Sequence, residues 1–392
     1  MKSKSPQLAR QLNYFKATGS FAMLVKANAL ETKGKSIIHL ESGQPDFPTP
    51  RHIIDAATTA MREGKTKYTP PLGILPLRTA IAETLAFKNK VKITADNIAI
   101  TPSGKTAIFA AASAVIEPGD EVIYPNPGFP VYETMIQFLG GKPVPVPLLE
   151  KNNFSFDMKI FKKRFSNKTK LIILNSPSNP TGGIIPKSDL QMIARAIRDT
   201  NCWVLTDEIY DNIVYDDSFT SFYGLDHVRD RTFLVNGFSK TFSMTGWRIG
   251  YLAAPKRVME KMDYLLTHIV GCTASFTQYA ALSAIKGSMK QSNLMVNEFK
   301  RRRDYLVPAL NAIPGISCTV PLGAFYAFPN IMGFNKSSSW MADYLLNHAG
   351  VATLPGSDFG KYGEGYLRLS FATSMENLEV AVKEIKSALA KL

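Results

Sequence analysis

The sequence predicts an α/β protein, with a large domain built on a mostly parallel mixed sheet sandwiched by helices and a smaller α+β domain beside it. Two observations carry this. Between residues 98 and 235, short apolar runs alternate with amphipathic helical stretches, the pattern of strands buried on both faces. Beyond about residue 288 the alternation stops, and longer helices mix with short strand-like runs.

The elements follow in order. Residues 36–40, SIIHL, read as a strand, followed by a proline-punctuated loop from Ser42 to Pro50. A helix then sets Ile53, Ile54, Ala57 and Met61 on one face. The loop 68–73, YTPPLG, leads into a helix reaching about residue 88. Ile98 to Ile100 is a strand, 104–116 an Ala-rich helix, Glu121 to Tyr124 a strand, Phe129 to Phe138 a helix and Pro143 to Val146 a strand. Leu171 to Leu174 is a strand, and the helix 187–199 carries Leu190, Ile193, Ala194 and Ile197 at helical spacing. Cys202 to Thr206 and Thr232 to Val235 are strands. In the C-terminal part come a helix over 287–311 kinked at Pro308, strands at 316–320 and 324–328, a helix over 338–349, a strand at 366–370, and a last helix capped by Ser374.

The totals narrow the function. A net charge of +14 allows anionic partners, but the basic residues are dispersed. The densest cluster, Lys300 to Arg303, falls in a helix and reads as a solvated face, so no nucleic-acid partner is expected. Three cysteines without a CxxC pair point to a reducing, cytoplasmic setting. Five histidines without ligand spacing predict no metal. No apolar run approaches the ~18 residues of a membrane span, so no membrane partner is expected. Lys2, Lys4, Arg10, Lys16 and Lys26 precede the first acid, Glu31, and read as part of an ordered N-terminal arm.

Chemistry in such a sheet belongs beyond the carboxyl ends of the strands. After the 98–100 strand, Ser103-Gly104-Lys105 opens a helix, and serves either as an anion seat or as a plain N-cap. Gly104-Lys105-Thr106 is not a P-loop tail, because Ala99 stands where that motif needs glycine, and Gly34-Lys35-Ser36 fails the same way at Ala29. Phe129 is either a stacking aromatic or core. Asn179 stands before a proline with an amide to donate. Asp207 emerges from a buried strand, where a carboxylate needs a cationic partner, and Tyr210 follows. Past the 232–235 strand come Ser239, Lys240 and Arg248. A lysine at the end of a buried strand is a candidate amine nucleophile.

An anion seat, a flat aromatic, a carboxylate, an amide, a phenol and an amine together suit pyridoxal 5′-phosphate. Ser103, Gly104, Lys105, Ser239 and Arg248 would take its phosphate, Phe129 its ring, and Asp207 its pyridinium nitrogen. Asn179 and Tyr210 would take its phenolate oxygen and Lys240 its aldehyde. The motifs SPSNPTG (176–182), TDEIY (206–210), FSKTFSMTGWRIGY (238–251) and YLRLSFA (366–372), in this order, resemble the class I/II aminotransferases, the fold-type-I pyridoxal-phosphate enzymes related to aspartate aminotransferase.

The resemblance implies that Lys240 is the internal-aldimine lysine and proton shuttle, with Asp207 and Tyr210 as its catalytic partners. It implies that Arg368 grips the substrate α-carboxylate, helped by Asn179 and the backbone of Gly43. It implies a homodimer in which Tyr68 reaches the neighbouring site. It implies a large cofactor domain over 50–287 and a discontinuous small domain from 1–49 and 288–392. The expected activity is ping-pong amino transfer from an L-amino acid to a 2-oxo acid, with aspartate or broad/aromatic specificity and 2-oxoglutarate as an acceptor. The alternative is a lyase or synthase of the same fold. A regulator with a DNA-binding appendage is not expected, because the resemblance already begins near residue 40.

Overall fold

The computed structural model describes residues 7–15, 19–216 and 219–392. Lys2, Lys4 and Lys16 of the basic N-terminal stretch lie outside them. The chain begins with α1 (Gly19–Glu31), β1 (Ile38–His39), α2 (Arg51–Arg62) and α3 (Leu75–Asn89). Six elements then alternate: β2 (Ile98–Thr101), α4 (Gly104–Ser113), β3 (Glu121–Asn126), α5 (Val131–Phe138), β4 (Lys142–Pro147) and α6 (Met158–Arg164). Next come β5 (Thr169–Asn175), α7 (Lys187–Ile197), β6 (Trp203–Asp207), β7 (Thr232–Gly237), β8 (Gly250–Ala253), α8 (Lys256–Ile269) and α9 (Ser275–Lys286). The chain ends with α10 (Lys290–Asn311), β9 (Tyr326–Ala327), α11 (Ser338–His348), β10 (Val351–Ala352), β11 (Leu354–Pro355), β12 (Leu367–Ser370) and α12 (Met375–Leu389).

Seven of these strands form one sheet in the order β2-β8-β7-β6-β5-β3-β4. All neighbours pair in parallel except at β8, which runs antiparallel to both β2 and β7. Alternation within β5 decides the layers. Leu171 and Ile173 pack with Ala107, Ala111 and Met262 of α4 and α8 on one face. Ile172 and Leu174 pack with Phe161, Leu190 and Ile193 of α6 and α7 on the other. A third cluster joins α2, α3 and α9 to Ile98, Ile100 and Leu234. Because β2, β3, β5, β6 and β7 point the same way, Thr101, Asn126, Asn175, Asp207 and Gly237 finish at one edge.

The C-terminal elements build their own core from α1, α10, α11, α12 and the β11-β12-β9 sheet, and β1 pairs with β10. Ser374 caps α12 by accepting from Asn377 N–H, and Leu378, Val382, Ile385 and Leu389 are buried.

Several sequence expectations change here. The 36–40 strand shortens to Ile38–His39, and 316–320 forms only a bridge between Ser317 and Asn330. α1, α6, β8, α8 and α9 were not anticipated. By contrast, α10 carries Pro308 inside it and runs on to Asn311, as expected for this helix. The run Lys300 to Arg303 is not a solvated face throughout. Arg302 is buried against Asp46 (2.8 Å) and Glu298 (3.0 Å), and Arg303 against Asp216 and Asp304. A helix turns two of four consecutive residues inward, and the acids waiting there make burial tolerable.

Candidate active site

A cavity of about 400 Å³ opens at the strand ends. It is lined by Gly43, Ser103, Gly104, Lys105, Phe129, Asn179, Asp207, Tyr210, Ser239, Lys240, Arg248 and Arg368. Those are all the residues singled out in the sequence except Tyr68. Tyr68 stands 94 % exposed, away from its own chain's cavity.

Asp207 ends β6 and is buried. Its Oδ2 accepts from the Tyr132 hydroxyl at 2.8 Å, and its Oδ1 accepts from the Ile209 N–H at 3.3 Å. The expected cation is missing: among the described residues, no lysine or arginine forms an ion pair with it. Burial pushes the carboxyl up to about 6, against the two donors that hold it down. An ionised carboxylate here would be stabilised by a cation bound on the cavity side.

Lys240 lies three residues past β7. It is half-buried by surface, since it forms cavity wall, yet protein surrounds the amine. Burial, then Arg368, Lys105 and Arg248, push it down to about 7, and Asp207 opposes them. Its Nζ donates to the Gly43 carbonyl and sits 5.9 Å from the Tyr210 ring and 5.7 Å from the Phe325 ring.

Arg368, on β12, brings a buried guanidinium to the same space. Nη2 donates to the Glu41 carbonyl and Nη1 reaches Asn179 Oδ1 at 3.5 Å. Nε is buried without a partner among the described residues. Among the described residues, no carboxylate forms an ion pair with it. The guanidinium stacks on Tyr326 at 4.6 Å and on Phe359 at 5.2 Å. A buried cation with an unsatisfied donor and no anion has the chemistry to receive a carboxylate.

Ser103 caps α4, its hydroxyl accepting from Thr106 N–H at 3.2 Å. The N-cap is formed, and it leaves room for an anion, because the first N–H groups of α4 have no intrahelical partner and Gly104 and Lys105 face the cavity. Gly250 is what lets β8 lie against this helix start: a Cβ there would meet Gly104 N at 2.7 Å. Arg248 is held at φ +55°, a left-handed conformation that costs a non-glycine residue about 1–3 kcal/mol. Phe129 packs edge-on to Tyr132 and lies 5.6 Å from Lys105 Nζ, at once core edge and cavity wall.

The cavity thus fits pyridoxal 5′-phosphate. It offers a helix start with cations for a phosphate, an unpaired buried carboxylate for a pyridinium, and a depressed amine for an aldehyde. Residues the sequence reading left without a role complete the wall. Tyr132 supports Asp207. Asn175 Oδ1 accepts from Asn179 N–H (3.0 Å) while its Nδ2 donates to the Asp207 carbonyl (3.1 Å). Tyr326 meets Tyr210. Only the position of Asn175 at a strand end could have marked it; Tyr132 and Tyr326 carry no motif.

The family described as aminotransferase class I and II matches residues 35–385. A relative from Aquifex aeolicus, described as a probable aspartate/prephenate aminotransferase, is 39 % identical and covers 98 % of this chain and 99 % of its own. The crystal structure of an aromatic aminotransferase from Pyrococcus horikoshii superposes with TM-score 0.89 at 39 % identity, covering 94 % of this chain and 99 % of its own. The Thermus thermophilus aspartate aminotransferase with maleate superposes with TM-score 0.92 at 35 % identity, covering 98 % and 100 %.

Proposed function

The chain belongs to the class I and II aminotransferases, pyridoxal-phosphate enzymes of fold type I, and from that premise we propose that the cavity around Lys240 is its transamination site. One observation carries the reading: the depressed amine of Lys240, the cation-less carboxylate of Asp207 and the anion-less guanidinium of Arg368 share one cavity.

Bound there, the cofactor supplies an aldehyde for an amine and a ring that draws electrons from the substrate Cα. Lys240 is the amine that would hold that aldehyde, and its free amine would take the proton from the substrate Cα and return it. At about 7 its amine can both accept and return a proton near neutral pH. Asp207 keeps the ring nitrogen cationic. Tyr210 and Asn179 donate toward the phenolate oxygen, and Phe129 covers the ring. Ser103, Gly104, Lys105, Ser239 and Arg248 hold the phosphate. Arg368 orients the α-carboxylate of amino acid and 2-oxo acid alike, with Asn179 and the Gly43 backbone beside it.

We infer aspartate or aromatic amino acids as donors, with 2-oxoglutarate as an acceptor. The support is that relatives of similar identity are described by aspartate/prephenate and by aromatic substrates. The reading includes a homodimer with Tyr68 crossing to the neighbouring site, a large domain over 50–287, and a small domain from 1–49 and 288–392. Three free cysteines suit a cytoplasmic setting.

The test is a donor panel with 2-oxoglutarate, pyruvate and oxaloacetate as acceptors. The expected result is acceptor-dependent amino transfer from aspartate, an aromatic amino acid or both. Turnover of a donor without any acceptor, releasing ammonia, would overturn the assignment of this cavity to transamination.

A further inference from the structure

Tyr326 is fully enclosed, on β9 of the C-terminal part of the chain, far in sequence from the strand ends that carry the cofactor residues. Its hydroxyl lies 2.8 Å from that of Tyr210. Its ring is the shelf on which the Arg368 guanidinium rests, at 4.6 Å. A Cβ on Gly43 would come within 3.0 Å of the same hydroxyl, so the loop at Gly43 closes over it. One side chain therefore touches the phenol, the arginine and the loop.

We propose that Tyr326 is a positioning residue with two separable tasks: its hydroxyl directs the Tyr210 proton toward the cofactor oxygen, and its ring orients Arg368 for the substrate carboxylate. A phenol has one proton to give. If Tyr210 donates it to the phenolate oxygen, Tyr210 must accept from Tyr326, and two donors in series strengthen each other in a dry site. The buried hydroxyl pair has no other side-chain hydrogen-bonding partner among the described residues, so this direction satisfies both groups. The other charged and titratable groups acting on the pair are Arg368 from β12, Asp207 from β6 and Lys240 from the loop after β7. Arg368 acts on both phenols, whereas Asp207 and Lys240 lie against Tyr210.

The inference rests on Tyr210 donating to the cofactor, and the experiment separates the two claims. The loaded enzyme is titrated by visible absorbance in the wild type, Tyr210→Phe, Tyr326→Phe and Tyr326→Leu, and KM is measured for one amino acid. A hydrogen bond to the phenolate oxygen makes it a weaker base, so losing one raises the pH at which the lysine–cofactor chromophore titrates. Tyr210→Phe, which loses the direct bond, should move that pH upward by roughly half to one unit, about one neutral hydrogen bond, and Tyr326→Phe should move it upward by a smaller amount. It keeps its ring and should change KM less than about two-fold. Tyr326→Leu should show the same spectral shift and raise KM about two- to thirty-fold, the range for a cation–π contact. A shift in Tyr210→Phe but none in Tyr326→Phe would sink the relay alone. No shift in Tyr210→Phe would remove the premise. A KM for Tyr326→Leu equal to that of Tyr326→Phe would sink the arginine shelf.

Discussion

The Tyr132 hydroxyl donates to Asp207 Oδ2 at 2.8 Å, and this neutral bond is the main support the chain gives a buried carboxylate. Phenol and carboxylate come from opposite sides of the strand-order reversal, α5 beyond β3 and the end of β6. A neutral donor steadies the carboxylate without cancelling its charge. A lysine or arginine in that place would have used up the charge before a cofactor arrived.

The protein without cofactor should show this in its stability against pH. Asp207 sits at about 6 when folded, above the ~3.9 of an unfolded chain. Between those values the folded state holds a proton that the unfolded state has lost, so this term falls as pH rises from about 4 to 6. Lys240 sits at about 7, below the ~10.4 of an unfolded chain, so its term rises with pH between about 7 and 10. Thermal midpoints of apo wild type, Asp207→Asn and Lys240→Met across this range check both signs. A wild-type minus Asp207→Asn difference that stays flat from about pH 4 to 6 would contradict the burial penalty.

Replacing Arg368 by alanine should raise KM for amino acid and 2-oxo acid together, by about 10- to 150-fold, because a charge-assisted contact contributes roughly 1.5–3 kcal/mol. Arg368→Lys should recover only part of this, since an ammonium cannot offer the paired N–H edge. Steady-state kinetics with both half-reactions separates the case. An effect on one substrate alone would argue that Arg368 reads a side chain instead.

Lys240→Ala should lose the visible chromophore and cut turnover by at least about 10²–10⁴-fold, the usual yield of a placed acid–base group. Added methylamine should restore a fraction of the rate if the lost function is proton transfer at Cα. A Lys240→Ala enzyme with wild-type turnover is incompatible with the cavity chemistry.

Much of the large sheet was legible because buried parallel strands are short unbroken apolar runs, and the residues beyond them are turn formers that stand out against them. Gly250–Ala253 escaped because it begins inside the glycine-rich loop that carries Arg248, so its first two residues read as the tail of a motif. α1 escaped because it lacks a clean polar face, burying only Met23 and Ala27. The candidate cofactor residues were visible as motifs on loops. Their supports, Tyr132, Asn175 and Tyr326, sit within regular elements, where a polar residue looks like any other until the fold brings its partner.

The exposure of Tyr68 sets the last test. A tyrosine 94 % exposed on its own chain, beside a rigid proline-rich loop, can serve a neighbouring site at no cost in buried surface at home. If it does, each active site of a dimer takes Lys240 from one chain and Tyr68 from the other. Tyr68→Ala alone should weaken cofactor retention at both sites, and Lys240→Ala alone should silence both. Unfolded together and refolded as a mixture, the two variants form hybrids with one site that has both residues intact. With random pairing the mixture should regain roughly a quarter of wild-type activity, since half the dimers are hybrids and each has one good site. Activity no higher than the mean of the two separate variants would show that Tyr68 serves no neighbouring site, and a monomer in sedimentation analysis would show the same.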